Sequence, residues 1–378
     1  MPTPRRFLIV RRSDFGDIAQ ALPLLAAIRR SVPGAFIGWL CSAPVACLLR
    51  GHPMLDALHL GPACGFKGFS IHKQVALVRE LRVMQYEYAL DLQGDAASAC
   101  WIASAGIKRR ARLAPSGERL WSDRLFTNRV EPNPRLHVIE RYLQLLQPVG
   151  LNAPQPEFPV HLPNEARLRA EQIVGEEAGL PLIVVNPGAG SPVKRWPTRR
   201  FGELAARFLE CLPCRIAVAW GPGEERLAAE VLSTAGARFD DETNQKLPPT
   251  PGLHSLPRTS FSELLAIIER AALFVGCDSG PTHFAAAIGT PTIAVMGSLD
   301  GRFYGPYGEE AAYVQFGIPK PPPRKADLRS WHDTGSDIAR LRVEDVLKMC
   351  LQMPPFRDSK SENPRAGHAD RIRAPTTP

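Results

Sequence analysis

The sequence predicts an α/β protein made of two parallel-sheet units, on three observations. Short apolar runs alternate with stretches of helical spacing through both halves of the 378 residues, the pattern of parallel strands covered by helices on both faces. A proline-dense segment at 148–163, PVGLNAPQPEFPVHLP, separates the halves, because prolines so closely spaced exclude regular helix and central strand. The chain is long enough for two domains of ordinary size.

The first unit opens with RFLIV, which reads as a strand. A loop follows, then LPLLAAIRRSVPG, with helical spacing and a Pro-Gly stop. Pro23 suits either a first helical position or a kink in a helix begun earlier. FIGWLCS, LDALHLG and YEYALDLQG are further apolar runs, with HKQVALVRELRVM reading as a helix among them. The second unit restarts with PLIVVNPGAGSPVKRW (strand then loop), RRFGELAARFLE (helix), RIAVAWGPG (strand then turn) and RLAAEVLSTAG (helix). Cys211 and Cys214 in CLPC fit a helix end entering a strand, since no second CxxC or His pair completes a metal or redox motif. PKPPPRK from Pro319 interrupts the pattern, and RVEDVLKMCLQ offers one last amphipathic helix. From Pro354 onward the chain is Pro-rich, charged and poor in large aliphatics, so a disordered tail is expected. The predicted divisions are therefore 1–160, 161–353 and a tail over 354–378.

Composition narrows the class. At 44% hydrophobic and 22% charged residues the chain reads as a soluble globular protein, with no apolar run long enough to cross a bilayer and too short an apolar core near Met1 for a secretory signal. Eight scattered cysteines do not form a disulfide framework, so a reducing, cytoplasmic address is expected. A net charge of +8 favours an anionic partner, and KRRAR at Lys108 to Arg112 is the densest basic run. Taken alone, that run fits nucleic acid, acidic lipid, a phosphorylated glycan or a merely solvated basic face. No D-x-D, H-E-x-x-H or paired Cys/His set occurs, so no catalytic metal is expected.

Four segments carry candidate chemistry. In RRSDFGDIAQALPLL, Asp17 lies at the carboxyl end of the first strand, where open α/β sheets bind ligands, while Asp14 caps the turn or faces solvent. In LFVGCDSGPTHFAAAIGTPTIAVMG a strand ends at Asp278, Ser279 and Gly280 turn the backbone, Pro281 opens a helix and Gly289 closes it. Such a turn gathers free N–H groups where a phosphate can sit, with His283 and Asp278 at the same mouth; an ordinary turn capped by Asp278 is the plainer alternative. In VVNPGAGSPVKRWP, Gly188, Gly190 and Ser191 form a loop of small residues followed by the point charge of Lys194. Its spacing is neither a Walker A loop nor the dinucleotide fingerprint, whose third glycine position holds Val193, and a surface turn remains open. GPGEERL places Glu224 and Glu225 after a strand, where a carboxylate can hold a ribose or simply complement a helix N-terminus.

In combination, S-x-x-G-D at Ser13 to Asp17, K-x-W-P at Lys194 to Pro197 and D-S-G-x-x-H at Asp278 to His283 resemble the bacterial heptosyltransferase family, glycosyltransferase family 9. The resemblance runs in consistent order from about Phe7 to about Leu351 and includes LDLQG. It implies a GT-B fold of two Rossmann-like domains, with parallel sheets facing across a cleft. It further implies inverting, metal-independent transfer, without a cofactor, from ADP-heptose to the Kdo or heptose of a lipopolysaccharide inner core. The donor would sit mainly on the second domain and the acceptor on the first. Asp17 matches the catalytic base and Lys194 the lysine on the donor diphosphate. Ala189, Gly190 and Ser191 match the phosphate loop, helped by the Gly280 backbone beside Ser279 and His283. Asp278 would hold sugar hydroxyls, Glu225 in preference to Glu224 the ribose, and the backbone near Thr259 the adenine. The implied partners are an anionic glycolipid and peripherally the inner membrane surface, with no nucleic acid. Three departures stand out: Cys277 where many members have Asn, Gly190 where some have Thr, and QFGIPKPPPRKADL without the cysteines often found there. Competing readings are a GT-B transferase or epimerase using another nucleotide sugar, a catalytically silent glycan-binding relative, and an NAD-dependent oxidoreductase, which the failed glycine fingerprint disfavours.

Overall fold

The computed structural model describes residues 5–63, 70–115, 120–175, 179–237, 247–248, 250–297, 299–317 and 337–357. The first domain runs β1 (Arg6–Val10), α1 (Phe15–Ser31), β2 (Phe36–Ser42), β3 (Ala57–Gly61), α2 (Ile71–Val83), β4 (Tyr88–Asp91), α3 (Ala96–Ser104), β5 (Arg109–Leu113), β6 (Asn128–Val130) and α4 (Val138–Leu143). The second runs α5 (Asn164–Val174), β7 (Leu182–Asn186), α6 (Thr198–Cys211), β8 (Arg215–Val218), α7 (Glu225–Thr234), β9 (Gly252–Ser255), α8 (Phe261–Glu269), β10 (Leu273–Cys277), α9 (Gly280–Ile288), β11 (Thr292–Met296), α10 (Gly301–Tyr304), β12 (Ala311–Gln315), α11 (Val343–Cys350) and α12 (Pro354–Arg357).

Each domain holds a six-stranded parallel sheet, ordered β3-β2-β1-β4-β5-β6 in the first and β12-β11-β10-β7-β8-β9 in the second. Taken from β7, the second order repeats the first, so both domains are Rossmann-like. Each has a topological switch point, between β1 and β4 and between β7 and β10. The central strands are buried along their whole length, because helices cover both faces. On one face of the first sheet, α1 and α4 join a core that continues into α8 and α9 of the second domain. On the other face α2 and α3 close a separate core around Leu77, Leu81 and Trp101.

The proline-dense segment begins later than expected, since Pro148 lies inside a short 3-10 helix, Gln144–Val149. Residues 151–163 form no helix or strand, and His52 Nε2 lies 2.5 Å from the Pro159 carbonyl, anchoring the segment. Pro23 sits inside α1, which begins at Phe15, so the helix starts earlier than the apolar spacing marks. The tail boundary at Pro354 is corrected: α12 begins there and Phe356 is buried with Met353 in the second core, because one aromatic ring finds apolar neighbours that composition cannot show. Residues 358–378 of the expected tail, and PKPPPRK, lie outside the described residues.

Candidate functional site

The connection from β1 to α1 presents Asp17 at the third position of the helix. Its carboxylate is held on both sides: Oδ2 accepts from the Asp14 N–H at 3.0 Å, and Oδ1 pairs with Arg11 Nη2 at 2.6 Å. Arg11 is itself fixed, donating to the Leu92 carbonyl at 2.8 Å, with its guanidinium over the Tyr142 ring. Asp14 occupies the N-cap and is exposed. The sequence reading missed Arg11; its signal was a charged residue directly after a buried strand, at the carboxyl edge of the sheet.

The second half of the site comes from the two strands flanking the other switch point. After β10, Asp278 is buried between two partners, Lys194 Nζ at 2.7 Å and His283 Nε2 at 3.1 Å. Burial opposes its charge, yet Lys194 and His283 overcome this and hold the carboxyl well below the usual range. For Lys194 the balance is the same: burial works against the ammonium, and Asp278, with Asp17 and Asp14 further off, raises it above the ordinary lysine value. Ser279 caps α9 and accepts from the Asn186 amide at 3.3 Å, tying the end of β7 to the turn. After β7, the Ala189 carbonyl is taken by Arg195, Gly190 is exposed, and the buried Ser191 hydroxyl finds no hydrogen-bond partner among the described residues.

Two motif residues prove to be supports. Trp196 is fully buried and donates from its ring to the Leu341 carbonyl at 3.1 Å, fixing the backbone that carries Lys194. Cys277 accepts from the Trp196 N–H at 3.3 Å and donates to the Pro187 carbonyl at 3.7 Å, and burial pushes its thiol up to about 12, so it remains a donor. A thiol at this position can thus both accept and donate, as an amide can.

The two halves meet. A Cβ placed on Gly280 would lie 2.5 Å from Phe15 Cβ, and one on Gly16 would lie 2.9 Å from His283 Cδ2, so the N-termini of α1 and α9 touch through two glycines. Phe15 stacks on Phe261 with ring centroids 4.2 Å apart, and His137 Nε2 lies 3.1 Å from the Gly305 carbonyl, binding the domains on either side. Asp17, next to Gly16, is thereby brought near enough to Lys194 to act on its charge, between two positive helix ends.

The remaining expected residues spread along the second domain. Glu224 accepts from the Gly221 N–H at 3.0 Å and fills the space where a Gly188 Cβ would stand, whereas Glu225 folds back toward Gly223 N at 3.3 Å. The carboxylate beside the small-residue loop is thus Glu224, a distinction set by the turn and invisible in EE. Thr259 is half-buried between β9 and α8, below a loop that Trp220 fixes by donating to the Leu256 carbonyl at 2.8 Å. The basic run at Lys108 to Arg112 is not a uniform solvated face: from Arg109 it lies in β5, Arg112 is buried against Asp123 at 2.9 Å, and Arg110 is spent on the Leu125 and Ile107 carbonyls. Lys108 and Arg109 remain exposed. Among the described residues no group of three or more His, Cys, Asp or Glu is placed to hold a metal ion.

Comparison with known proteins now identifies the arrangement. Lipopolysaccharide heptosyltransferase 1 of Pseudomonas aeruginosa is 26% identical over 333 residues, covering 84% of this chain and 85% of that protein. Lipopolysaccharide heptosyltransferase 3 of Escherichia coli strain K12 is 27% identical over 312 residues, covering 80% and 84%. Among solved structures, a family 9 glycosyl transferase from Veillonella parvula aligns with a TM-score of 0.76 at 19% identity, over 95% of this chain and 99% of that one. E. coli ADP-heptose lipopolysaccharide heptosyltransferase II aligns at 0.70 and 20%, over 94% and 99%. These structures establish the expected GT-B fold. The model of glycosyltransferase family 9 (heptosyltransferase) matches residues 74–329, more than half of the chain, and the protein belongs to that family.

Proposed function

We propose that the protein transfers heptose from ADP-heptose to the inner core of lipopolysaccharide, onto a Kdo or heptose residue carried by lipid A, with inversion and without a metal ion. The observation that carries this reading is the meeting of Asp17 with the Lys194–Asp278–His283 group at two facing helix N-termini. The relatives named for lipopolysaccharide heptosyl transfer, and an E. coli heptosyltransferase solved with ADP, support the choice of donor and acceptor.

Inversion requires the acceptor oxygen to attack the anomeric carbon on the face opposite the diphosphate. The acceptor hydroxyl gives its proton to Asp17 as the new C–O bond forms, and the bond from the anomeric carbon to the diphosphate oxygen breaks. ADP leaves with the electron pair. The charge that develops on it is met by Lys194, whose ammonium has three donors and spends one on Asp278, and by the N-terminus of α9. Ser191 supplies a buried hydroxyl in want of a partner, which a phosphate oxygen satisfies. Asp278, with lone pairs left beyond its two partners, takes sugar hydroxyls. The ribose falls to Glu224 rather than Glu225, and the adenine to the backbone near Thr259.

A lipid-anchored acceptor places the protein at the cytoplasmic face of the inner membrane as a peripheral protein; among the described residues no helix is long and apolar enough to cross a bilayer. The test is incubation with ADP-heptose and a Kdo-bearing lipid A. Release of ADP together with a mass gain of one heptosyl unit is expected, and turnover of a UDP-sugar in place of ADP-heptose overturns the reading. Activity should persist in excess EDTA, because Lys194 and the helix end supply the positive charge; a loss restored only by added divalent ion removes the metal-free step.

A further inference from the structure

The outer layer of the first domain carries an apolar surface that its own fold leaves uncovered. Helices α2 and α3 and the short turn at Trp121–Leu125 pack on the face of the sheet opposite α1. In a parallel sheet each connection leaves a strand at the carboxyl edge, so the start of α2 and the Trp121 turn lie toward the edge that presents Asp17. There Trp121 is 68% exposed and Ile71 67%, with Val75 and Leu120 partly exposed beside them. Orientation follows from α2's own contacts. Arg82 donates to the Ser104 carbonyl of α3 at 2.6 Å, and at about 100° per residue Ile71 and Val75 share that flank. They border the outer side of α3, where Ala96, Cys100 and Ala103 show only small side chains. The result is a shallow apolar trough between α2 and Trp121.

Its rim is basic. Arg79, on the solvent side of α2, and Arg124 are exposed beside it, and Arg129 is exposed and pairs with Asp123, which Arg112 also holds. An exposed tryptophan beside aliphatics and cations matches the boundary between lipid headgroups and acyl chains, where aromatic rings settle and cations meet anionic lipid. We propose that this trough and its basic rim seat the protein on an anionic phospholipid bilayer, with Trp121 and Ile71 at the headgroup boundary. Asp17's edge of the sheet then meets a sugar anchored in the same bilayer. In that respect the proposal deepens the function proposed above and rests on it.

The full chain is sedimented with vesicles of phosphatidylcholine alone and of phosphatidylcholine with phosphatidylglycerol. Capture by the anionic vesicles only is expected, with a blue shift in tryptophan emission that Trp121→Phe removes. Ile71→Glu with Trp121→Glu should cut capture about tenfold or more while keeping the wild-type melting curve. Leu168→Glu, at a 60% exposed position on α5 of the second domain, should be captured like wild type. The proposal is overturned by undiminished capture of the double variant, by an equal loss in Leu168→Glu, by equal capture on both vesicle types, by capture on neither, or by a blue shift that survives Trp121→Phe. Transfer to a soluble acceptor without acyl chains keeps the two proposals apart. The double variant should turn over that acceptor at the wild-type rate, whereas wild-type protein captured by vesicles but inert toward ADP-heptose defeats the proposed function and leaves the docking face standing.

Discussion

The β1–α1 and β10–α9 connections use one backbone device for opposite chemistry. Each leaves a central strand beside a switch point and opens a helix whose free N–H groups point toward the other domain. In α1 the first turn contains Asp17, which turns the positive end inward on its own carboxylate and is braced by Arg11. In α9 the first turn has no acidic residue, and Gly280 and Pro281 bring no charge of their own to its positive end. The carboxylate nearest that end, Asp278, precedes the helix and is already paired with Lys194 and hydrogen-bonded to His283. The lesson is that a helix terminus acquires its role from what stands in and before its first turn.

The sharpest way to break this contrast is at Asp17. Asp17→Asn keeps the shape and the Asp14 contact but cannot take a proton, so turnover should fall about 100-fold or more with donor binding retained. Asp14→Asn, at an exposed cap, should lose far less. ADP release and donor-binding calorimetry on both variants measure this, and near-normal turnover of Asp17→Asn would remove it as the base.

On the other connection, Lys194→Ala should lower kcat about 100-fold and weaken donor binding, because charge on the leaving diphosphate counts most as the bond breaks. It should also lower the melting temperature, since Asp278 is left buried without its ion-pair partner. A change confined to KM for the donor would assign Lys194 to ground-state binding. Next in size, Glu224→Gln should weaken donor binding about tenfold, the scale of one charged hydrogen bond, and Glu225→Gln should cost less. Equal losses, or the reverse order, would return the ribose to Glu225.

The smallest expected effect on turnover concerns a contact between the domains, His137 with the Gly305 carbonyl, and it is read in stability instead. Burial, partly offset by the Gly305 carbonyl and reinforced by His283, pushes His137 down to about 4 from an ordinary value of 6.5. Between those values the unfolded chain binds the proton and the folded protein does not, so stability is full above pH 6.5 and declines as pH falls toward 4. The total is about 3 kcal/mol at the acid end. Protonation costs the Nδ1 acceptor that caps α4 through the Ile139 N–H. Denaturant melts across that range should show the slope, and His137→Asn, which caps without titrating, should flatten it.

Much of this molecule was written in local pattern. FIGWLCS became β2 residue for residue, PTIAVM and LFVGC became β11 and β10, and Gly289 took the left-handed backbone that ends α9. Apolar periodicity, Gly and Pro act over a few residues, so a linear reading captures them. Three of the motifs also lie on βα connections at the carboxyl edges of the sheets, a local consequence of strand followed by helix.

What the linear reading missed shares one cause. KRRAR looked like a charged patch and runs into β5, next to the edge strand, where Arg110 and Arg112 spend their charge on carbonyls and on Asp123. Arg11 gained its place from Leu92 and Tyr142, far along the chain, and Phe356 from a core assembled by α6 and α11. The approach of Gly16 to His283, and of Phe15 to Gly280, exists only once two independently patterned sheets turn their carboxyl edges together. Sequence by itself determined two Rossmann-like units and the residue types at the ends of their strands. Which carboxylate faces which cation was decided by tertiary structure, because Coulomb and hydrogen-bond partners are chosen by distance in space, and no local pattern encodes that distance.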